Sequence, residues 1–209
     1  MAIDYEKIGM RTLKIVSFLF HSLTTLAGLI LMAFGIYVLV NSQAQLYGIG
    51  MPIAYIVGGF LAVINSLYGF FSSSKTSAKF HKIFLILSFI MVLYLLILVI
   101  ITFVGDSRTE SNIQSGWNDA YSNNPRTLQY IQQKFECCGL TDVEDNAIPK
   151  SSKDACLKSE LFGYNQPCLD LITKASHISS RLLGLESLVT LILFIISLGL
   201  GYILYKKSV

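Results

Sequence analysis

Four long apolar blocks dominate this chain of 209 residues. Each block is long enough to cross a bilayer as a helix, because roughly 20 residues span a hydrocarbon core about 30 Å thick. The blocks lack the alternating pattern of a membrane β-barrel, and an open sheet would leave backbone groups unpaired in lipid. The sequence therefore predicts four transmembrane helices, at residues 15–40, 53–71, 83–104 and 182–205.

The composition agrees with a lipid environment. Of the residues, 53% are hydrophobic and 14% are charged, whereas soluble domains carry roughly 25% charged residues. The first block begins after basic residues, as a signal peptide does, but its apolar stretch is too long for one and no small-residue cleavage site follows. It is therefore expected to remain as a span.

Basic residues divide the short segments between two sides of the membrane. The segment 41–52 has no Lys or Arg, whereas Lys7, Arg11 and Lys14 precede the first span, and Lys206 and Lys207 follow the last. Positive charge in short segments marks the cytoplasmic side, whereas long segments cross largely regardless of charge. We therefore expect cytoplasmic segments at 1–14, 72–82 and 206–209, and segments outside the cytoplasm at 41–52 and 105–181.

All four cysteines, Cys137, Cys138, Cys156 and Cys168, lie in the long segment 105–181. Four cysteines in one non-cytosolic segment imply two disulfides. A bond between the adjacent Cys137 and Cys138 would be strained, which leaves two pairings open. A zinc site is disfavoured, because the chain has no C-x-x-C pair. We expect structural disulfides, no metal and no redox chemistry.

The motif Phe135-Glu136-Cys137-Cys138-Gly139, followed by two more cysteines before the last span, resembles the tetraspanin family. The resemblance covers the whole chain: four spans, a short first outer loop, a large second one and short tails. It implies an all-α membrane protein, a four-helix bundle with a small, mainly helical, disulfide-stapled large extracellular loop. It also implies that Cys137 pairs with Cys168 and Cys138 with Cys156. Around Cys156 the sequence departs from the family's Pro-x-Ser-Cys pattern.

Apolar periodicity predicts three helices in the large loop. Asn124 is a candidate N-cap with Pro125 at the first helical position, and a third helix is expected from about Leu169 to Leu183. Gly139 is expected to adopt the left-handed backbone after the cysteine pair. The apolar positions at helical spacing are Ile113, Trp117 and Tyr121, then Leu128, Ile131 and Phe135, and finally Leu171, Ile172, Ala175 and Ile178.

The stretch from Leu140 to Gln166 shows no helical pattern. In the family that the motif resembles, this stretch tends to contact partners. We therefore consider Leu161, Phe162 and Tyr164 as an exposed apolar contact, and the alternative is that they fill a small loop core.

Small residues in the first two spans predict close helix packing, because small side chains let backbones approach in lipid. Gly28 and Gly35 lie seven residues apart in the first span. The spacing predicts a close, left-handed contact with the second span, whose matching residues are Gly58, Ala62, Asn65 and Gly69.

The spans contain few other polar side chains. His21 is expected to form a hydrogen bond toward the bundle, and Glu186 lies near the outer end of the fourth span. Intramembrane polar residues are functional candidates, but no chain of ionisable groups is visible, which argues against transport.

No catalytic constellation or cofactor motif occurs in the sequence, so we expect neither an enzyme nor a cofactor. The family resemblance implies a scaffold that binds other integral membrane proteins laterally and organises membrane microdomains, with effects on adhesion, trafficking or signalling. A second copy of the chain and membrane lipids are further candidate partners, and cholesterol or another lipid is a candidate ligand in the bundle. Nucleic acid is not expected.

Two other functions remain open at this point: a small four-helix channel or transporter subunit, and a claudin-like barrier protein. A claudin-like protein would have its cysteine-bearing loop between the first two spans, and here that segment has no cysteine. The expected location is the plasma membrane or an endosomal membrane. The tail Lys206-Lys207-Ser208-Val209 resembles a di-lysine signal for the endoplasmic reticulum, although a charge pair that ends the span explains it as well.

Overall fold

A computed structural model of the protein describes residues 9–40, 49–75, 77–105, 109–148 and 164–208. In these residues the regular structure is helical. The helices are α1 (Met10–Val40), α2 (Gly50–Ser74), α3 (Ala78–Gly105), α4 (Thr109–Asn123), α5 (Pro125–Phe135) and α6 (Cys168–Ser208).

Four of these helices, α1, α2, α3 and α6, are long and apolar enough to cross a membrane. The four expected spans lie inside them. The third predicted loop helix and the fourth span form one uninterrupted helix, α6, of 41 residues. The protein is therefore a multi-pass membrane protein with the all-α architecture that the sequence predicts.

The chain divides into two compact units. The bundle unit comprises Met1–Phe34, Ala54–Ile101 and Leu183–Val209, and the loop unit comprises Gly35–Ile53 and Thr102–Leu182.

The bundle unit exposes large apolar side chains on its surface, as expected for a protein in lipid. Large aliphatic and aromatic side chains such as Leu19 and Phe60 are more than half exposed on its surface, while Leu31, Leu95 and Phe194 are fully buried. Apolar side chains that face hydrocarbon need no cover, because lipid tails are as apolar as they are. The exposed ring of leucine, isoleucine and phenylalanine is therefore the lipid-facing surface.

The loop unit has an apolar core of its own. Ile113 and Trp117 of α4, Leu128 and Ile131 of α5, and Ile172 of α6 are fully buried together in it. Most of the predicted helical positions therefore belong to this core or pack against it, but Ala175 and Ile178 do not. Ile178 is 62% exposed, because the apolar stripe of α6 that faces this core ends before it.

Asn124 occupies the N-cap position of α5 and Pro125 the first turn, as predicted, but the Asn124 side chain makes no capping hydrogen bond. The backbone carbonyl of Asn124 accepts from the amide of Thr127 instead.

Candidate interaction domain and helix interfaces

The cysteine–glycine turn organises the loop unit. A disulfide joins Cys137, which follows α5, to Cys168, the first residue of α6. This is the pair that the family resemblance implies. Cys138 is disulfide-bonded as well, and its predicted partner Cys156 lies outside the described residues. Both cysteines of the motif are therefore disulfide-bonded, and the bond of Cys137 holds the motif to the start of α6.

Two residues with positive φ make this turn possible. Glu136 ends α5 in the left-handed conformation, and Gly139 has a φ of 68°. A Cβ atom on Gly139 would collide with the carbonyl oxygen of Asp142, so the position requires glycine for space as well as for backbone conformation. The role predicted for Gly139 is confirmed.

Backbone hydrogen bonds tie the turn to the start of α6. The Cys138 amide donates to the Gln166 carbonyl at 2.9 Å, and the Cys168 amide donates to the Gly139 carbonyl at 3.1 Å. The Leu169 amide donates to the Leu140 carbonyl at 3.0 Å. The disulfide and these three bonds hold the two chain segments side by side.

Gln132 holds the segment that follows the turn, a role that the sequence pattern does not predict. Its fully buried side-chain amide donates to the carbonyl of Ile148 and accepts from the amide of Ile148, at 3.2 and 3.0 Å. Trp117 donates its ring N–H to the carbonyl of Asn146. These bonds anchor residues 146–148 on α4 and α5, just before the stretch in which partner contact is expected.

Of the three residues predicted to contact partners, Tyr164 is described by the structure. Leu161 and Phe162 lie outside the described residues. Tyr164 is half-buried and packs against Cys138 together with Val143 and Ala147. Ile148 and Tyr164, the described residues on either side of positions 149–163, are thus both held in the loop unit.

In the bundle unit, α1 and α2 approach each other closely along a stripe of small residues. A Cβ atom on Gly59 would lie 2.5 Å from the carbonyl oxygen of Gly28 and 2.7 Å from the amide nitrogen of Met32. Gly28 in turn faces Ala62, and Gly69 lies under the His21 ring. The predicted contact between the first two spans is therefore present at Gly28. Gly35 is buried on α1 and belongs to the loop unit.

The residues of α2 that the sequence spacing predicts on one contact lie on two. Gly58 faces Tyr94 of α3, and Asn65 donates to the hydroxyl of Ser88 of α3 at 3.1 Å. The stripe facing α1 is instead Gly59, Ala62, Ser66 and Gly69, in which Ser66 bonds Thr25. Successive side chains of a helix point about 100° apart around its axis. The predicted set therefore combines residues of the face toward α1 with residues of the face toward α3. The adjacent pair Gly58-Gly59 is the sequence feature that indicates two close helix contacts on neighbouring faces of α2.

His21 forms the hydrogen bonds toward the bundle that the sequence predicts. Its Nε2 lies 3.2 Å from the Ser17 hydroxyl and 3.4 Å from the Ser73 hydroxyl of α2. The ring also packs edge-on against Phe70 and Phe84. This arrangement links α1, α2 and α3 at one end of the bundle unit.

Glu186 is half-buried on α6, where its Oε1 accepts from the Thr190 hydroxyl at 3.0 Å. Its other oxygen, Oε2, is buried with no hydrogen-bond partner among the described residues, and the same holds for Asn65 Oδ1 and Ser197 Oγ. Within the described part of the chain, no group of three His, Cys, Asp or Glu could hold a metal ion.

These features define a four-span membrane protein with a disulfide-stapled helical loop domain between the third and fourth spans. The tetraspanin family model matches residues 13–207, and the chain belongs to this family. It is similar to leukocyte surface antigen CD53 of Mus musculus, with 28% identity over 149 residues, which is 66% of this chain and 68% of that protein. The CD53 proteins of Rattus norvegicus and Homo sapiens are 26% and 24% identical, with the same shares covered.

Proposed function

We propose that the protein is a membrane scaffold that binds other integral membrane proteins laterally and organises them into membrane microdomains. The observation that carries the proposal is the loop unit: a small domain with its own core, in which the described residues on either side of positions 149–163 are held by side chains. Ile148 is held by Gln132, and Tyr164 packs against Cys138. Membership of the tetraspanin family supports lateral binding of membrane proteins.

The proposed topology has both termini and the turn between α2 and α3 in the cytoplasm, and the loop unit outside. The distribution of basic residues supports this orientation. The Cys137–Cys168 disulfide supports an oxidising compartment for the loop. The plasma membrane and endosomal membranes fit both observations, and the terminal lysine pair keeps the endoplasmic reticulum as an alternative.

We assign the partner contact to Leu161, Phe162 and Tyr164. Short anchored segments lose less conformational freedom on binding than free ones do, so anchoring improves affinity without new contacts. Apolar and aromatic side chains in such a segment supply the buried anchors that dominate binding energies.

A photocrosslinking amino acid at position 162 tests this assignment in intact cells. We expect it to capture a small, reproducible set of integral membrane proteins, and Phe162→Ser to reduce their co-purification in mild detergent at least several-fold. Tyr130→Ser is the matched control, because Tyr130 is an exposed aromatic residue on α5.

Intact disulfides on a non-reducing gel would show that both variants fold. Undiminished co-purification with Phe162→Ser under that condition would rule out the assigned contact. If position 162 crosslinks to no membrane protein at all, the scaffold proposal itself fails.

We further propose that the bundle binds cholesterol or another lipid with a polar head near Glu186. The buried Oε2 of Glu186 supports this, because buried acceptors in proteins are nearly always hydrogen-bonded, and a lipid hydroxyl would donate to it. A sterol photoprobe should label the bundle less after Glu186→Leu than after Glu110→Leu, a change at an exposed carboxylate of the loop unit. Equal labelling would refute this part of the proposal.

A further inference from the structure

One end of the bundle unit is strongly basic. We call this the basic end, and four helix termini contribute to it. The described residues near these termini, 9–24, 66–75, 77–92 and 194–208, contain no Asp or Glu. The cations are Arg11 and Lys14 of α1, Lys75 after α2, Lys79 and Lys82 of α3, and Lys206 and Lys207 of α6.

Direct contacts place these helix termini next to one another. The Ser17 hydroxyl of α1 bonds the Ser73 hydroxyl of α2 at 3.0 Å. On α6, a Cβ atom on Gly201 would lie 2.8 Å from the ring of Phe84 on α3. The basic residues of separate helices therefore share one end of one packed unit.

The connection between α2 and α3, together with the first turns of α3, is the most basic part of this end and is held by buried side chains. The Ser72 hydroxyl bonds Nδ1 of His81 at 2.9 Å, and both residues are buried. The amide of Lys75 donates to the carbonyl of Ser72 at 3.1 Å. The chain therefore reverses within a few residues, and the Ser72–His81 bond spans the reversal.

The three lysines of this part are exposed. They are Lys75, Lys79 and Lys82, and the Lys75 ammonium lies over the Phe71 ring at 5.3 Å. Lys79 and Lys82 are three residues apart and share a face of α3. Three cations within eight residues of a reversed chain form a group that we call the lysine turn.

We propose that the lysine turn binds the headgroup of a lipid that carries phosphomonoester groups, with the other cations of the basic end around it. This goes beyond lateral protein binding. A phosphomonoester accepts charge-assisted hydrogen bonds from several ammonium groups at once. Positive charge on this side orients the protein in the membrane. Orientation does not require the charges to be close together on one turn that is held by the buried Ser72–His81 hydrogen bond. This closeness is what favours a multiply charged headgroup over a singly charged one.

Native mass spectrometry of the full-length protein in mild detergent tests the proposal, because detergent removes any effect of membrane orientation. The probes are a phosphatidylinositol bisphosphate, phosphatidylserine and phosphatidylcholine of equal chain length. We expect the bisphosphate lipid to be retained most strongly, and its retention to weaken as salt is raised.

The decisive variant combines Lys75→Gln, Lys79→Gln and Lys82→Gln. Each basic residue near an anionic surface contributes to the binding free energy, and the loss of three should weaken binding by roughly 100-fold. Arg126→Gln, Lys134→Gln and Lys174→Gln in the loop unit form the control with the same change of charge, and we expect it to bind as the wild type does. Replacing the same three lysines by arginine should preserve binding.

Two results would overturn the proposal: a glutamine triple variant that binds the bisphosphate lipid as tightly as the wild type, or a wild type that does not prefer the bisphosphate lipid to phosphatidylserine. Ser72→Ala keeps every charge and tests the arrangement, and we expect binding several-fold weaker. Unchanged binding with Ser72→Ala would refute the part played by the Ser72–His81 bond. None of these readouts depends on protein partners, so the scaffold proposal can stand or fall separately.

Discussion

The loop unit and the bundle unit are both helical, yet they are stabilised in different ways. The loop unit buries Trp117, Leu128 and Ile131 away from solvent and adds a disulfide. The bundle unit leaves many large apolar side chains exposed, and its helices meet through glycine, alanine and hydroxyl groups.

The difference follows from the solvent that each unit is expected to face. In water, burial of apolar surface drives packing, but a small domain buries too little of it and gains from covalent links. In lipid, burial gains nothing for an aliphatic side chain, so close van der Waals contact and interhelical hydrogen bonds decide which helix faces meet. Substitutions of one kind should therefore have unequal effects in the two units.

Removal of the Cys137–Cys168 disulfide should have the largest effect and should be confined to the loop unit. The double variant Cys137→Ser with Cys168→Ser is expected to destabilise the loop by about 2–5 kcal/mol. Limited proteolysis should then cut the loop, while circular dichroism still shows the helices of the spans. Ser122→Ala, an exposed change on α4, is the control. Loss of helicity in the spans would break the comparison.

Gln132→Met should come next, because it keeps the side-chain length but removes both bonds to Ile148. Each backbone group left unpaired and buried costs about 1–3 kcal/mol. Hydrogen exchange measured on the full-length protein should rise at the amide of Ile148. Gln133→Met changes the exposed neighbour and should leave that exchange rate as it is. An unchanged rate in Gln132→Met would mean that Ile148 is held in another way.

Gly59→Ala tests the close helix contact in the bundle unit. The new methyl would meet backbone atoms of Gly28 and Met32, which cannot move aside as a side chain can, so we expect a loss of about 1–3 kcal/mol. Gly199→Ala is the matched control, since no atom lies within 4 Å of its Cβ position. Thermal unfolding in lipid nanodiscs measures both. Equal stability of the two variants would show that close approach at Gly59 contributes nothing.

Ser73→Ala should have the smallest effect, although it removes a hydroxyl shared by Ser17 and His21. Hydrogen bonds between membrane helices contribute on average about 0.6 kcal/mol. The same unfolding measurement applies, with Ser74→Ala as control, because Ser74 is exposed and bonds within its own helix. A loss as large as that of Gly59→Ala would reverse the ranking of packing above hydrogen bonding.

The sequence predicted the candidate site in part. Trp117 and Ile131 were recognised as core residues because helical spacing reports which face of a helix is buried. Gln132 was missed, because a polar residue next to an apolar one reads as solvent-exposed, and its partner Ile148 lies 16 residues away. Ile178 also has helical spacing, but it lies beyond the part of α6 that packs against the loop core, and spacing alone does not show where that contact ends.

In the bundle, too, the sequence predicted part of the packing and not all of it. Small residues on α2 were predicted to pack, and they do, but the division between the face of Gly59 and the face of Gly58 could not be read from spacing. A difference of one residue turns a side chain by about 100°, and the neighbour that it then meets depends on where α1 and α3 lie.

What the sequence by itself determined is local or compositional: four apolar spans, the family motif, the helical faces of the loop and the need for glycine at position 139. These follow from the length of an apolar run, a fixed helical period and the steric limits of one residue. Only the tertiary structure decided the pairing of Gln132 with Ile148, of His21 with Ser73, and of Gly59 rather than Gly58 with α1. Such pairs depend on distances between residues far apart in the chain, and those distances are set by the packing of whole helices.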